Sequence, residues 1–191
     1  MMERSHRRLE ERLADLQSAA GAIVRERAGL AELALVDEVI AYLERSAARH
    51  EADEEESLFP RLRGDRDIAP LLADLTAEHA HHRHLIGQLR ALRSTWPPAG
   101  PAAADGATLA IAITELSRAY RSHITREEEE LLPAARGRLT PAEIASITAE
   151  MHRRRGGPDA GRARGQDRGA GGGMGLRRRP AGSGGRRLRQ V

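Results

Sequence analysis

One pattern occurs twice in the chain and restricts its fold more than any other feature. A histidine is followed by three consecutive glutamates that begin four residues later, and then by a leucine and a proline, in the form H-x-x-x-E-E-E-x-L-[F/L]-P. The first copy pairs His50 with Glu54, and the second pairs His123 with Glu127. On an α-helix, residues four apart are offset by only about 40° around the axis. Each copy therefore predicts a helix that presents an imidazole and a carboxylate on one face.

The two matching pairs have two interpretations. Either copy alone would fit an acidic helical face that happens to include a histidine. Two matching copies on long segments with apolar periodicity favour ligand pairs for a metal ion, because imidazole nitrogens and carboxylate oxygens both bind metals. Pro60 and Pro133 follow the pairs by about two turns, and a proline fits poorly in a helix interior. We therefore expect each pair near the C-terminal end of its helix.

Composition restricts both the fold and the kind of metal site. The chain has 191 residues and no cysteine, which excludes disulfides, thiolate zinc sites and cysteine-ligated iron–sulfur clusters. Aromatic residues are scarce, whereas alanine, leucine, arginine and glutamate are abundant, a composition typical of helices. No apolar run is long enough to cross a membrane, and residues 3–12 are charged instead of forming an apolar signal segment. We expect a soluble, cytoplasmic, all-α protein without a membrane partner.

Apolar residues recur at three- and four-residue steps along four segments, and each stripe predicts one face of a helix buried in a core. Short or proline-rich connections join the segments, which favours an antiparallel four-helix bundle. The predicted helices cover about residues 6–20, 30–60, 68–94 and 105–136.

A short fifth helix is predicted after the bundle. Thr140, Pro141 and Glu143 combine an N-cap, a first-position proline and a capping-box glutamate. We expect this helix to reach about Arg154 and to pack on the bundle through Ile144, Ile147 and Met151.

Charge divides the chain into two regions. The whole chain has a formal charge of +3, but residues 153–191 hold twelve arginines and two aspartates, so the preceding part is acidic. From Gly156 onward almost no apolar residue is present, and burial cannot offset the entropy of ordering such a segment. We predict a domain over residues 1–155 and a disordered Gly/Arg-rich tail over residues 156–191.

Arginine clusters in the tail allow a different class of function, since arginines bind nucleic-acid phosphates without sequence specificity. No aromatic residue interleaves with these arginines, and no recognition helix accompanies them. We therefore do not expect nucleic acid to be a partner.

Polar residues interrupt all four core stripes. Buried carboxylates without partners are costly, and their mutual repulsion adds to the cost. Metal cations remove both problems. Four histidines and two glutamates suit a pair of five- or six-coordinate first-row ions, with bridging carboxylates and an open position on each ion. The interrupting residues are His6, His50, Glu54, His79, His123 and Glu127.

The remaining histidines and glutamates have other expected roles. His82 also faces the core, where a hydrogen bond to a ligand is favoured over direct ligation. His81 and His84 lie off the buried stripe and should be solvated. His6 lies in the first turn of a terminal helix, where a structural cap or a frayed surface residue is the alternative. Glu51 or Glu78 can reach a ligand, whereas we expect solvated faces at Glu55, Glu56, Glu128, Glu129 and Glu130.

Together these motifs resemble the hemerythrin-like HHE cation-binding family. The two repeated steps, the Glu78-His79 pair and the N-terminal histidine carry the resemblance, which covers roughly residues 1–155. It implies a four-helix bundle around a non-haem di-iron centre. The implied terminal ligands are His6, His50, His79 and His123, and the implied bridges are Glu54 and Glu127.

The resemblance also implies a function. Such a centre would bind or sense O2, NO or peroxide, or handle iron, as a sensor, store or protective sink; a di-iron enzyme that removes peroxide or NO is the alternative. Oxygen-carrying hemerythrins are similar but offer two histidines four apart on the third helix, whereas Arg83 follows His79 at that spacing here. This departure favours family members tied to nitric oxide, iron supply or oxidative stress. No nucleotide loop, Ser-His-Asp order or cysteine nucleophile supports conventional transferase or hydrolase chemistry.

Overall fold

A computed structural model describes residues 2–25, 29–96 and 103–156, and helices are the only regular secondary structure within these ranges. Helix α1 spans Met2–Val24, α3 spans Ala69–Ser94 and α5 spans Pro141–Arg154. Helix α2 runs without a break through Leu30–Tyr42, a π-helical turn at Leu43–Ala47, Ala48–Asp53, a second π-helical turn at Glu54–Leu58, and Phe59–Leu62. Helix α4 comprises Ala103–Arg126, a π-helical turn at Glu127–Leu131, and Leu132–Arg138.

The core consists of two apolar clusters with a polar layer between them. Helix α2 contributes Leu33, near its start, to the first cluster and Leu58, near its end, to the second. Helix α3 runs in the opposite direction, with Leu72 in the second cluster and Leu85 in the first. Like α2, helix α4 runs from the first cluster to the second, and α1 runs from the polar layer into the first cluster. Consecutive helices therefore alternate in direction, and the predicted all-α antiparallel four-helix bundle is confirmed.

The predicted stripes are the buried faces of the helices. In α2 the buried face contains Val36, Val39, Leu43, Ala47, His50, Glu54 and Ser57. In α3 it contains Leu72, Leu75, His79, His82, Ile86 and Leu89. The spacing of apolar residues thus identified the faces on which the polar layer is built.

Two helices continue beyond their prolines. Helix α2 ends at Leu62, shortly after Pro60, and α4 extends from Pro133 to Arg138. A π-helical turn ends just before each proline-containing segment, so the change in hydrogen-bond pattern coincides with the residue that has no N–H to donate. The histidine–glutamate pairs still lie within a few turns of the C-terminal ends of these helices.

Helix α5 begins with the predicted cap. The backbone N–H of Glu143 donates to the Thr140 hydroxyl over 3.3 Å, and the backbone N–H of Thr140 donates to the Glu143 carboxylate over 2.8 Å. Ile147 and Met151 are buried against the bundle, as expected. Ile144 lines a cavity with Leu58 and Leu132 of the bundle but stays 45% exposed, so it contributes less burial than the other two residues.

Two predictions concern the chain as a whole. Among the described residues, no helix combines the length and apolar character needed to span a membrane. From residue 157 on, the predicted tail lies outside the described residues, so both the tail and its boundary with the domain stay predictions.

Candidate metal centre

The polar layer brings together all six residues that the sequence singled out as metal ligands. Each helix of the bundle contributes: α1 one histidine, α3 one histidine, and α2 and α4 one histidine–glutamate pair each. All six side chains are buried, and their nitrogen and oxygen atoms form two groups in which every ligand atom lies within 4.8 Å of the others. The first group is His6, His50, Glu54 and Glu127, and the second is Glu54, His79, His123 and Glu127.

Both glutamates belong to both groups, and each lies between two imidazoles. The carboxylate of Glu54 has one oxygen 3.4 Å from Nε2 of His50 and the other 3.3 Å from Nε2 of His79. The carboxylate of Glu127 has its two oxygens 3.0 Å from Nε2 of His6 and 3.0 Å from Nε2 of His123. Each carboxylate thus lies between an imidazole of the first group and an imidazole of the second.

The nitrogen and oxygen atoms at the centre of this layer are better placed to bind cations than to form hydrogen bonds with one another. Both oxygens of Glu54 and Glu127, and Nε2 of His6 and His50, make no hydrogen bond to any described residue. Where a short nitrogen–oxygen distance occurs, as between His6 and Glu127, the atoms are close but not aligned for a hydrogen bond. Buried polar groups without partners are costly in a folded protein. A pair of metal ions would satisfy all of these lone pairs.

In three of the four histidines, a carboxylate accepts a hydrogen bond from Nδ1, on the side of the ring away from the centre of the site. Because a carboxylate only accepts, it fixes the proton on Nδ1 and leaves the Nε2 lone pair facing the centre of the site. The Nδ1–carboxylate distances are 2.9 Å from His6 to Glu128, 2.8 Å from His79 to Glu55 and 2.7 Å from His123 to Glu78. Glu78 thus contacts His123, one of the six candidate ligands, as expected.

Glu55 and Glu128 lie on partly exposed helix faces, but each also contacts a histidine of the site, a role that the sequence did not predict. These residues occupy the same place in the two repeats, directly after the glutamate that enters the site, and each reaches a histidine on a helix that lacks the repeat. Their side chains are 32% and 46% exposed, and one oxygen of each accepts from the ring of the histidine. The repeated run of glutamates could have indicated this role. One glutamate per copy would be enough to enter the site, yet both copies have a second glutamate directly after it.

Comparison with known families agrees with this geometry. The family model of the hemerythrin HHE cation binding domain matches residues 1–135. The chain belongs to the hemerythrin HHE cation-binding family. No curated protein and no solved structure gives a match to the chain.

The matched range of the hemerythrin domain contains every residue of the polar layer but ends within α4. Helix α5 lies beyond that range, yet it contacts the site through Asp53, which is fully buried next to Glu54. Arg154 donates to one oxygen of Asp53 over 2.5 Å, and Arg155 donates to the other. Arg154 also donates to the hydroxyl of Ser57 over 3.0 Å. In this hemerythrin domain, α5 therefore covers the side of the site where the first repeat lies.

The two glutamates of the hemerythrin centre have opposite electrostatic environments. Burial raises the pKa of Glu54 well above its ordinary value of 4.5, and the charge of Glu127 raises it further. Burial also acts to raise the pKa of Glu127, but the imidazoles of His123 and His6 outweigh it and lower that pKa well below 4.5. Without a cation, these surroundings favour the ionised form of Glu127 and the neutral form of Glu54.

The four histidines also differ in basicity. Burial lowers the pKa of His50 to about 3, and burial together with the charge of His123 lowers the pKa of His79. Burial acts in the same direction on His6 and His123, but Glu127 and a second carboxylate raise the pKa of each above 6.5. Metal binding needs neutral imidazole, so cations compete with protons at His6 and His123.

His82 lies beside the hemerythrin centre but belongs to neither group of ligand atoms. Its ring stacks on Tyr120 with centroids 3.9 Å apart, and its Nδ1 is 3.9 Å from the carboxylate of Glu51. That carboxylate accepts from the Tyr120 hydroxyl over 3.5 Å and from Arg83 over 2.8 Å. His82 therefore packs against the ligand His123, at 4.9 Å between centroids, without entering the ligand set.

The other histidines of α3 agree with their predicted role. His81 and His84 are exposed. Arg83, which stands where oxygen carriers are expected to offer a further histidine, is half exposed and pairs with Glu51.

Proposed function

We propose that this chain binds two iron ions through His6, His50, Glu54, His79, His123 and Glu127, with the two glutamates as bridges. The observation that carries the proposal is the position of Glu54 and Glu127. Each is fully buried, has no hydrogen-bond partner among the described residues, and lies between one imidazole of each ligand group. Membership of a cation-binding family supports the same assignment.

The ligand chemistry favours iron over softer or harder metals. The site offers four imidazoles and two carboxylates and no sulfur, since the chain has no cysteine. Calcium and magnesium prefer oxygen ligands, whereas mixed imidazole and carboxylate sites suit first-row transition metals. Paired carboxylate-bridged iron sites are typically built inside helical bundles, as here.

We further propose that the centre binds a small ligand such as O2, NO or peroxide, as a sensor, store or protective sink. When bound, an iron pair with four protein ligands per ion supplies open coordination positions for such a species. The chain contributes the surroundings: apolar clusters lie on both sides of the layer, and the stacked pair of His82 and Tyr120 flanks His123. Arg83 offers no lone pair to a metal, which favours sensing or protection over reversible oxygen carriage.

An enzyme that removes peroxide or NO would use the same residues, so catalytic turnover separates the two functions. Multiple turnovers with peroxide and an electron donor would establish the enzyme, and stoichiometric binding without turnover would establish the sensor or store. The cytoplasmic location and the disordered tail stay predictions.

The first test is the metal content of protein purified without chelator and after anaerobic reconstitution with ferrous iron. We expect about two irons per chain, one for each ligand group, and an absorption spectrum that changes on exposure to O2 or NO. The metal-free protein is the spectroscopic control. Fewer than one iron per chain after reconstitution would contradict the proposal.

A further inference from the structure

A small cavity leads from the surface to His50. It has a volume of about 150 Å³ and lies between the N-terminal turns of α1 and the middle of α2. Its lining includes His50, three arginines and the hydroxyl-bearing residues Ser5, Tyr42 and Ser46. A water molecule occupies about 30 Å³ in the liquid, so the cavity has room for a species of a few atoms. It is too small for a typical organic ligand.

The arginines of this cavity give it an excess of positive charge. They are Arg8 of α1, Arg49 of α2 and Arg155 at the end of α5. Arg155 is paired with Asp53, but Arg8 and Arg49 form no ion pair within the described part of the chain. A second surface depression shares Ser5, Arg8 and Arg155 and adds Arg4 and His152. The basic surface therefore extends outward from the cavity, although the domain as a whole is acidic.

His50 differs from the other ligand histidines in a way that matches its position at this cavity. Its Nδ1 makes no hydrogen bond to a described residue, whereas the other three rings each have a carboxylate at Nδ1. A carboxylate here would offset part of the positive charge of the cavity. The lining of the cavity thus includes no carboxylate, and the nearby Asp53 is already paired with Arg154 and Arg155.

We propose that this cavity is an anion entrance: Arg8, Arg49 and Arg155 attract small inorganic anions and guide them to the His50 side of the centre. The ligand class is a monovalent anion of two to four atoms, such as nitrite, superoxide or azide. Clefts lined by one sign of charge raise the association rate of oppositely charged ligands, in a manner that salt screens. Neutral ligands such as NO gain nothing from these charges. The kinetic test rests on the proposed iron site, and a second test does not.

The kinetic test compares azide with NO in iron-loaded protein. The variant Arg8→Gln/Arg49→Gln removes two exposed arginines that have no described ion pair, so folding should be preserved. At an ionic strength of about 0.01 M we expect azide to associate about tenfold more slowly than with the wild type, and the difference to disappear at about 1 M. Association of NO should change less than twofold. Equal azide rates in variant and wild type, or equal slowing of azide and NO, would overturn the proposal.

A matched control removes the same charge elsewhere. Arg25→Gln/Arg66→Gln replaces two exposed arginines outside the cavity lining and should leave the azide rate near that of the wild type. Slowing as large as that of Arg8→Gln/Arg49→Gln would mean that overall charge, not the entrance, guides the anion, and would overturn the proposal.

The second test uses metal-free protein and nitrate as the probe. In a nuclear magnetic resonance titration of the wild type, the backbone amide shifts of Ser5, Arg8 and Arg49 should change with nitrate concentration and reach saturation. The amides at the same three positions of Arg8→Gln/Arg49→Gln should show no saturable change. If iron does not load, the proposed function fails and this titration alone decides whether the entrance binds anions. Shifts that do not saturate in the wild type, or that persist in the variant, would overturn the entrance in that case.

Discussion

Glu55 of α2 holds His79 of α3, with 2.8 Å between the carboxylate oxygen and Nδ1. The same offset in the second repeat places Glu128 of α4 at 2.9 Å from Nδ1 of His6 in α1. Each repeat therefore supplies a histidine, a glutamate shared by both groups of ligand atoms, and a carboxylate that orients a histidine from another helix. Two copies of one eleven-residue pattern organise all four helices around the site.

Loss of either orienting carboxylate should weaken metal binding. Groups that hold a metal-binding histidine from behind typically contribute 10- to 100-fold to metal affinity. We expect Glu55→Ala and Glu128→Ala to lower iron affinity by about that factor, measured by competition with a chelator. Glu129→Ala is the matched control, since Glu129 is the next, exposed residue of the same run. An equal loss of affinity in Glu129→Ala would attribute the effect to overall charge instead.

Removal of a bridging glutamate should have a larger effect. Glu54 and Glu127 each belong to both groups of ligand atoms, so Glu54→Ala or Glu127→Ala should remove most of the bound iron. His81→Ala and His84→Ala change exposed residues of α3 and should leave the iron content unchanged. Iron content by mass spectrometry after identical reconstitution measures all four. Retention of two irons in Glu54→Ala would show that the bridging assignment is wrong.

The sequence predicted the bundle and the convergence of six residues because both follow from helical periodicity. A polar residue within an apolar stripe must lie in the core, and antiparallel helices bring such residues to one level. The periodicity did not predict the role of Glu55 or Glu128. A π-helical turn starts at the bridging glutamate in each repeat and changes the angular position of the residues that follow, so an ideal α-helix assigns these side chains to the wrong direction.

The position of α5 could be predicted only in part. Its cap is local and was readable from Thr140 and Glu143, but its contacts depend on how the helix crosses the bundle. Asp53 follows no pattern that distinguishes it from the surrounding acidic residues. Its burial results from contact with arginines about a hundred residues later in the chain, which a single sequence does not encode in any local spacing.

A glutamine at position 54 should separate stability from metal binding. In metal-free protein, burial and the charge of Glu127 raise the pKa of Glu54 well above 4.5, so folding at neutral pH favours proton uptake at Glu54, which costs free energy. Glu54→Gln has the same shape and needs no proton, so we expect it to raise the free energy of unfolding of the metal-free protein by about 1 kcal/mol. The same variant should lose stabilisation by iron. Denaturant unfolding with and without chelator measures both, and a less stable metal-free variant would contradict the expectation.

The ion pair between Arg61 and Glu150 should make the attachment of α5 sensitive to acid. Arg61 donates to both carboxylate oxygens, over 3.0 and 2.5 Å, and this contact lowers the pKa of Glu150 to about 2. A lowered pKa stabilises the fold above the unfolded value of about 4.5, and the contribution is lost as the pH falls from there through 2. The difference in free energy of unfolding between metal-free wild type and Glu150→Gln should therefore be largest at pH 7 and shrink as the pH falls from about 4.5 towards 2. A difference that stays constant over this range would exclude the ion pair as its cause.

The arginine pair at the end of α5 should stabilise the fold through Asp53. This carboxylate is fully buried, and Arg154 and Arg155 are its charge partners. Loss of the partners of a buried charge is costly, and because these arginines are about a quarter exposed we expect Arg154→Gln/Arg155→Gln to lower the free energy of unfolding by about 2 kcal/mol. Arg153→Gln, at the exposed neighbouring position, should change it by less than about 0.5 kcal/mol. If the buried charge is the cause, adding Asp53→Asn to the double variant should recover part of the loss, since it removes the carboxylate left without partners. No recovery would mean that the arginines act through their other contacts, with Glu56 and Ser57.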